Sequence, residues 1–243
     1  MKIVKKIIAT LISVLPFNKV RIFFYRTLLG YKISYDSKIG PFNQIFVMEC
    51  EISGPRIGKF NKFSCRKLVI GQKTTVGNFN RITYMQQVII GSTNKIKNNN
   101  SIIGTAASSP FKHNEVFIMG NGCTLGSSNH FDCADSVTIG SDVIIGGKDS
   151  QFWTHGFTND RVTLQGPIVI EGNTYIGSRC LFMPSIRICT DNVIAAGTTV
   201  SKSISEPGVY VSSKLLRISD LKKLYDSPDL TVFNNRRYLR TGV

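Results

Sequence analysis

Only three histidines stand in this chain of 243 residues, and one of them opens its longest irregular stretch. His155 lies in the segment DSQFWTHGF. An imidazole near neutral pH is well suited to take a proton from an attacking hydroxyl or amine, which makes His155 the candidate general base. Asp149 stands six residues earlier. A carboxylate beside an imidazole fixes its tautomer and steadies its protonated form. Asp132, Asp135 and Glu115 compete with Asp149 for that part. His130, in SSNHFDC, is a second candidate in the same cleft, and His113 is assigned nothing. Gln151 and Trp153 are candidate substrate contacts. The Trp153 ring, with Phe152 beside it, either stacks on a substrate ring or caps the core.

Six cysteines show no C-x-x-C pair and no metal-ligand spacing, so no metal site is expected. Several fall where a small apolar side chain is wanted, which reads as buried free thiols in a reducing compartment. No G-x-x-x-x-G-K phosphate loop occurs.

The elements that must position these residues show in a six-residue period. Ile170, Ile176, Phe182, Ile188, Ile194 and Val200 are evenly spaced, and shorter sets recur upstream, such as Ile70, Val76, Ile82 and Ile90, Ile96, Ile102. Glycine often follows the apolar residue, as in Ile57-Gly58 and Ile176-Gly177. Four places after it stands a small or turn-forming residue, such as Asn80, Asn100 or Thr198. A helix needs apolar spacings of three and four, and a half-buried strand needs alternation; neither fits. A short strand, a corner and another short strand do. Three such units close a triangular coil, stacked coils pair in parallel, and the apolar residues form ladders along the axis. Glycine and asparagine are expected at the corners, where positive φ costs them little. The phase is lost near 83–89, 103–118, 132–138 and 152–169, which predicts loops thrown out from corners.

The tandem [LIV]-G-x-x-[small]-x motif resembles the hexapeptide-repeat acyltransferases, over roughly residues 35–212. The segment IEGNTYIGSRCLFMPSIRICTDNVIAAGTTVSKSI is similar to the terminal coils of that family's sugar O-acetyltransferases. The resemblance implies a mainly β fold: a left-handed parallel β-helix with an N-terminal helical segment and a short C-terminal helix. The hand comes from the family, since crossover statistics alone favour the right. It also implies a homotrimer, acetyl-CoA as acyl donor without a metal, and a catalytic histidine in the T-H context of His155. Gly177, Ser178, Ala195 and Ala196 match positions where small residues let the pantetheine arm lie close. Ser201 and Lys202 match the family's T-K, and Arg217 its late basic residue; Lys202 and Arg217 would meet the nucleotide phosphates. The family's G-N-P-A-K tail reads Val211-Ser-Ser-Lys-Leu here, a departure at the adenine end.

The formal charge of +15 asks for an anionic partner. The basic residues are spread thinly, with no nucleic-acid-binding signature, and gather at the two ends, as at Lys5 and Lys6 and at Arg236 and Arg237. Residues 1–34 read as a helical, amphipathic segment that packs on the domain or lies on a membrane surface. Its apolar run ends at Pro16 without a cleavage motif and is too short to span a bilayer. Residues 35–212 form the β-helix, with loops at 104–118 and 152–169, and 213–243 a cap and tail with a turn or two of helix at Ser219–Tyr225. A cytoplasmic protein, at most peripheral at the inner face of a bacterial membrane, fits this reading. Three functions follow from the resemblance: O-acetylation of a sugar in a surface polysaccharide or its precursor, N-acetylation of a nucleotide-linked amino sugar, or a non-catalytic trimeric scaffold.

Overall fold

The structure is a computed structural model that describes residues 3–105, 114–157, 163–212, 216–219, 230–233 and 236–239. Its body is a parallel β-solenoid of about eight coils, consistent with the left-handed form expected. The first face is a row of short strands from Lys38–Ile39 through Arg56–Ile57, Thr75–Val76 and Lys95–Ile96 to Tyr175–Ile176 and Gly208–Val211. The second face begins with residues 44–47 and continues through Ser101–Gly104, His130–Cys133, Gln151–Trp153 and Leu181–Phe182. The third runs from Lys32–Ile33 through Val116–Met119, Val137–Ile139 and Ile168–Ile170 to Ile186–Ile188.

Register explains the period. Ile39, Ile57, Val76 and Ile96 pair coil to coil on the first face, all buried. On the second face Phe131, Phe152 and Phe182 stack with ring centroids 4.3 and 4.4 Å apart, close to the spacing of paired strands. A repeat that returns the same side chain to the same place is what permits such a stack. At the corner between first and second faces, the buried Asn43, Asn61, Asn80, Asn100 and Asn129 form a ladder. Each Nδ2 from Asn61 onward donates to the Oδ1 of the asparagine one coil earlier, at 2.9 to 3.1 Å. The same Oδ1 atoms accept the backbone N–H groups that the corner would otherwise orphan.

The glycines after the ladder residues serve packing rather than positive φ. A Cβ on Gly58 would lie 2.6 Å from the carbonyl oxygen of Gly77, so the coils can stack closely only without one. Positive φ falls mostly on other residues, including Phe42, Phe60, Phe79, Lys73 and Arg179. The corner chemistry expected from sequence is corrected on this point.

The second and third faces are one continuous sheet in the early coils. Gln44–Ile52, Lys62–Ile70 and Arg81–Ile90 each bend round the corner unbroken, so the expected break at 83–89 is only a bulge with Tyr84 at φ 59°. Beyond Arg81–Ile90 the sheet divides, because insertions enter that corner between Gly104 and Val116 and between Trp153 and Ile168. Both predicted loops are therefore narrower than expected, and Asp132–Val137 passes through a short turn between them.

Two helices close the first coil. Helix α1 spans Ile3–Ser13 and helix α2 spans Asn18–Leu29, divided at Pro16 and ended by Gly30 at φ 71°. Asn18 of α2 exchanges hydrogen bonds with Ser37 O and Ile39 N at 2.8 Å, and the Arg21 Nη2 donates to Ile39 O at 2.6 Å. They occupy backbone groups that an open parallel edge would leave unpaired. At the other end Leu216–Ser219 pairs antiparallel with Gly208–Val211. Ser219 is thus the end of a strand; the remainder of the expected helix lies outside the described residues. Leu230–Phe233 and Arg236–Leu239 form a separate antiparallel pair.

Candidate active site

Strand alternation places the candidate site on the outside of the second face. Phe131 and Phe152 point inward and are fully buried, so His130, Asp132, Gln151 and Trp153 point outward. His130 pairs with Gln151 and Asp132 with Trp153 on neighbouring coils. The chain then leaves the solenoid at Thr154 and forms a short antiparallel hairpin, His155–Phe157 against Thr163–Gln165. That hairpin turns the His155 ring back over the preceding coil.

The ring meets Asp132. His155 Nδ1 lies 2.8 Å from Asp132 Oδ1, with side chains 27% and 18% exposed. The carboxylate is itself held: Oδ1 accepts from Ala134 N at 3.3 Å and from Thr154 Oγ1 at 3.2 Å. Thr154 is fully buried, and its hydroxyl accepts the Asp135 N–H at 2.8 Å. Gln165, paired with His155 across the hairpin, donates Nε2 to Ala134 O at 2.8 Å and ties the hairpin down. Thr154 and Gln165 were not singled out from sequence; only the T-H dipeptide pointed toward the first.

Asp149 is not on the imidazole. It sits at the corner between first and second faces at φ 64°, with Lys148 and Arg179 each 3.8 Å away. Six residues advance the chain by one face of the triangle, so a hexad back from His155 lands on the previous corner. A full coil is needed to return to the same corner; the register that pairs Asp132 with Trp153 brings that corner beside the hairpin, where His155 turns back onto Asp132. Asp135 caps its own turn through Ser136 N at 2.6 Å. Glu115 is buried beside Gly104 with Oε2 unpartnered.

His130 packs against Trp153, ring centroids 5.1 Å apart and tilted by 52°. Burial lowers its pKa below the ordinary histidine value, while Asp132 opposes that shift. Trp153 Nε1 donates to Gln151 Oε1 at 3.0 Å, which holds the indole beside the Gln151 amide. The histidines, the carboxylate, the amide and the indole thus share one outer surface beside the hairpin. Burial raises the thiols of Cys50, Cys65, Cys123, Cys133 and Cys180, Cys65 up to about 12, so none of these five is a nucleophile at neutral pH. Among the described residues no group of three or more His, Cys, Asp or Glu side chains could hold a metal ion.

The expected donor residues lie on two corners. Gly177, Ser178, Ala195 and Ala196 follow the first-face strands Tyr175–Ile176 and Asn192–Ile194, whereas Ser201 and Lys202 follow Thr199–Val200 on the second face. Gly177 is explained by packing alone, since a Cβ there would lie 2.5 Å from Ala196 N. Ala196, Ser201 and Lys202 are exposed, and Ala195 and Ser178 half-buried. Arg217 pairs by backbone with Tyr210, and its side chain lies outside the described residues.

No family model and no curated protein matches the chain. Among solved structures it is similar to a polysialic-acid-specific acetyltransferase, NeuO, at 18% identity and TM-score 0.46, over 84% of this chain and 82% of that one. A second is the polysialic acid O-acetyltransferase OatWY, at 15% identity and TM-score 0.45, over 82% and 92%. A third is a hexapeptide-repeat acetyltransferase of Vibrio cholerae O1 biovar eltor complexed with acetyl coenzyme A, at 16% identity and TM-score 0.37, over 86% and 81%. At such scores the likeness decides nothing about activity.

Proposed function

We propose that the protein is an acetyl-CoA-dependent O-acetyltransferase acting on a sugar hydroxyl, with His155 as general base and Asp132 as the group that orients it. The observation that carries this reading is the 2.8 Å contact between His155 Nδ1 and Asp132 Oδ1 on a surface that also presents Trp153 and Gln151. With Nδ1–H donated to the carboxylate, the basic lone pair sits on Nε2. His155 takes the hydroxyl proton there as the oxygen forms its bond to the acyl carbon. It then returns the proton to the sulfur as the carbon–sulfur bond breaks. Asp132 stabilises the imidazolium between those steps.

Acetyl-CoA supplies the activated acyl group. The small, partly exposed Ser178, Ala195 and Ala196 are the proposed wall for its pantetheine arm, and Ser201, Lys202 and Arg217 the proposed partners of its polar end, on residue types that suit phosphate. The Trp153 indole and the Gln151 amide are residue types that suit a sugar's apolar face and hydroxyls. The sugar belongs, on this reading, to a surface polysaccharide or its precursor, and the working unit is a homotrimer.

The test is thiol release from acetyl-CoA across a panel of sugars and nucleotide sugars, native protein against His155→Ala. Sugar-dependent release that falls by about a hundredfold or more in the variant is the expected outcome. Turnover unchanged in the variant refutes the role of His155. Absence of both turnover and coenzyme A binding favours a non-catalytic scaffold.

A further inference from the structure

Helix α1 is apolar on two opposite sides. Ala9 and Ile12 are buried against the solenoid. On the other side Ile3, Ile7 and Leu11 follow one another at spacings of four, with Val4 and Val14 beside them, and all five are 51% to 76% exposed. A helix side that faces water normally carries polar residues. At 11 residues the helix is about 17 Å long, too short to cross a bilayer but long enough to lie on one.

The apolar strip continues onto the solenoid. Phe42, Phe60 and Phe79 occupy successive corners at φ 58° to 62°, with rings 5.0 and 5.1 Å apart and nearly parallel. The equivalent corners of later coils carry Asn99, Ser128, Asp149 and Arg179. A bulky side chain at positive φ is costly, and these three are about half exposed, so burial within the fold does not offset that cost. The Phe42 N–H donates to Ser13 O at 2.7 Å, which joins the aromatic ladder to the end of α1.

The charge distribution selects what covers this strip. Residues 1–104 hold 17 of the 30 Lys and Arg and only 3 of the 15 Asp and Glu, so +14 of the formal +15 lies in that part. Residues 1–30 contain no acidic side chain. A second copy would bring another strongly positive half against the first. An anionic bilayer surface accommodates the apolar strip and attracts the charge around it.

We propose that the outer side of α1, together with the Phe42–Phe60–Phe79 ladder, docks the protein on an anionic lipid surface. The helix lies in the plane of the interface, the phenyl rings sit at headgroup level, and basic residues beside them, such as the exposed Lys59 next to Phe60, meet the lipid charges. This proposal stands independently of the acetyltransferase reading.

Co-sedimentation with vesicles of phosphatidylcholine, alone or mixed with phosphatidylglycerol, tests it. The native protein is expected to sediment with the mixed vesicles and to be released by salt. Ile7→Gln with Leu11→Gln should lower partitioning on the order of a hundredfold, and Lys59→Gln about fivefold. No sedimentation, or sedimentation unchanged in the Ile7→Gln/Leu11→Gln protein, overturns the proposal. A native oligomer that dissociates in that variant also overturns it, because the strip is then an interface between copies. If the apolar variant fails to fold by circular dichroism, the Lys59→Gln protein serves in its place: weakened sedimentation supports the proposal and unchanged sedimentation contradicts it.

Discussion

Replacing Asp132 by asparagine separates it from Asp149, two of the four carboxylates that sequence alone leaves in competition. Asparagine keeps an Oδ1 at the same place, so the contacts to Ala134 N and Thr154 Oγ1, at 3.3 and 3.2 Å, are preserved and the corner stays folded. The partner of His155 Nδ1 changes. An amide that instead turns its Nδ2 to the ring gives up those contacts, since one Oδ1 makes all three, and donates where the carboxylate accepted, which places the ring proton on Nε2 and removes the base. An amide that keeps Oδ1 on the ring still loses the ionic part of the bond. Hydrogen bonds to a charged group are worth about 1.5 to 3 kcal/mol, or roughly 10- to 150-fold in rate. The wrong tautomer adds to that, up to the ~10⁴ lost when a triad's aspartate is made asparagine. Thiol release by Asp132→Asn should therefore fall at least about tenfold, at a thermal midpoint close to native. Asp149→Asn should remain within about threefold of native, because its exposed pairs with Lys148 and Arg179 at 3.8 Å are worth little. A larger loss in Asp149→Asn than in Asp132→Asn would refute the assignment of the orienting carboxylate.

Phe152→Ala removes the middle ring of the Phe131–Phe152–Phe182 stack and should lower stability by about 3 to 5 kcal/mol, read from urea denaturation. His130 has a folded pKa below its ordinary 6.5, so the unfolded chain binds the proton first as pH falls. Stability should therefore decline as pH drops through about 6.5, and His130→Gln should flatten that slope in urea midpoints taken at about pH 7.5 and 5.5. Lys202→Ala should raise KM for acetyl-CoA about tenfold with kcat unchanged, the signature of lost uniform binding; an unchanged KM removes Lys202 from the donor site.

The ladders were legible because a solenoid repeats one environment. Ile57, Val76 and Ile96 meet on one face at steps of 19 and 20 residues, close to three hexads, and Pro16 marked the division between the helices. The partner of His155 was less legible for the same geometric reason. Corner insertions change the length of each coil, so counting hexads back from His155 gives the previous corner at Asp149, while Asp132 lies 23 residues back. The hairpin formed by His155–Phe157 and Thr163–Gln165 left no periodic signal, because it pairs only with itself. Nor did the sequence mark Phe42, Phe60 and Phe79 as corner residues; aromatic side chains read as core, and only the backbone shows them at positive φ and in solvent. Glycine after each ladder residue was visible, but its reason, coil contact at Gly58 and Gly177, depends on stacking that the sequence does not display.

Acetyl transfer to a sugar hydroxyl through the His155–Asp132 pair is tested most directly by mass spectrometry of acceptors incubated with acetyl-CoA and the native or His155→Ala protein. The expected result is an acetylated sugar that mild alkali hydrolyses, formed by the native protein and nearly absent with the variant. An alkali-stable product would mean an amide and an amino-sugar acceptor. Equal product with the variant, or none from any acceptor with the native protein, would contradict the account.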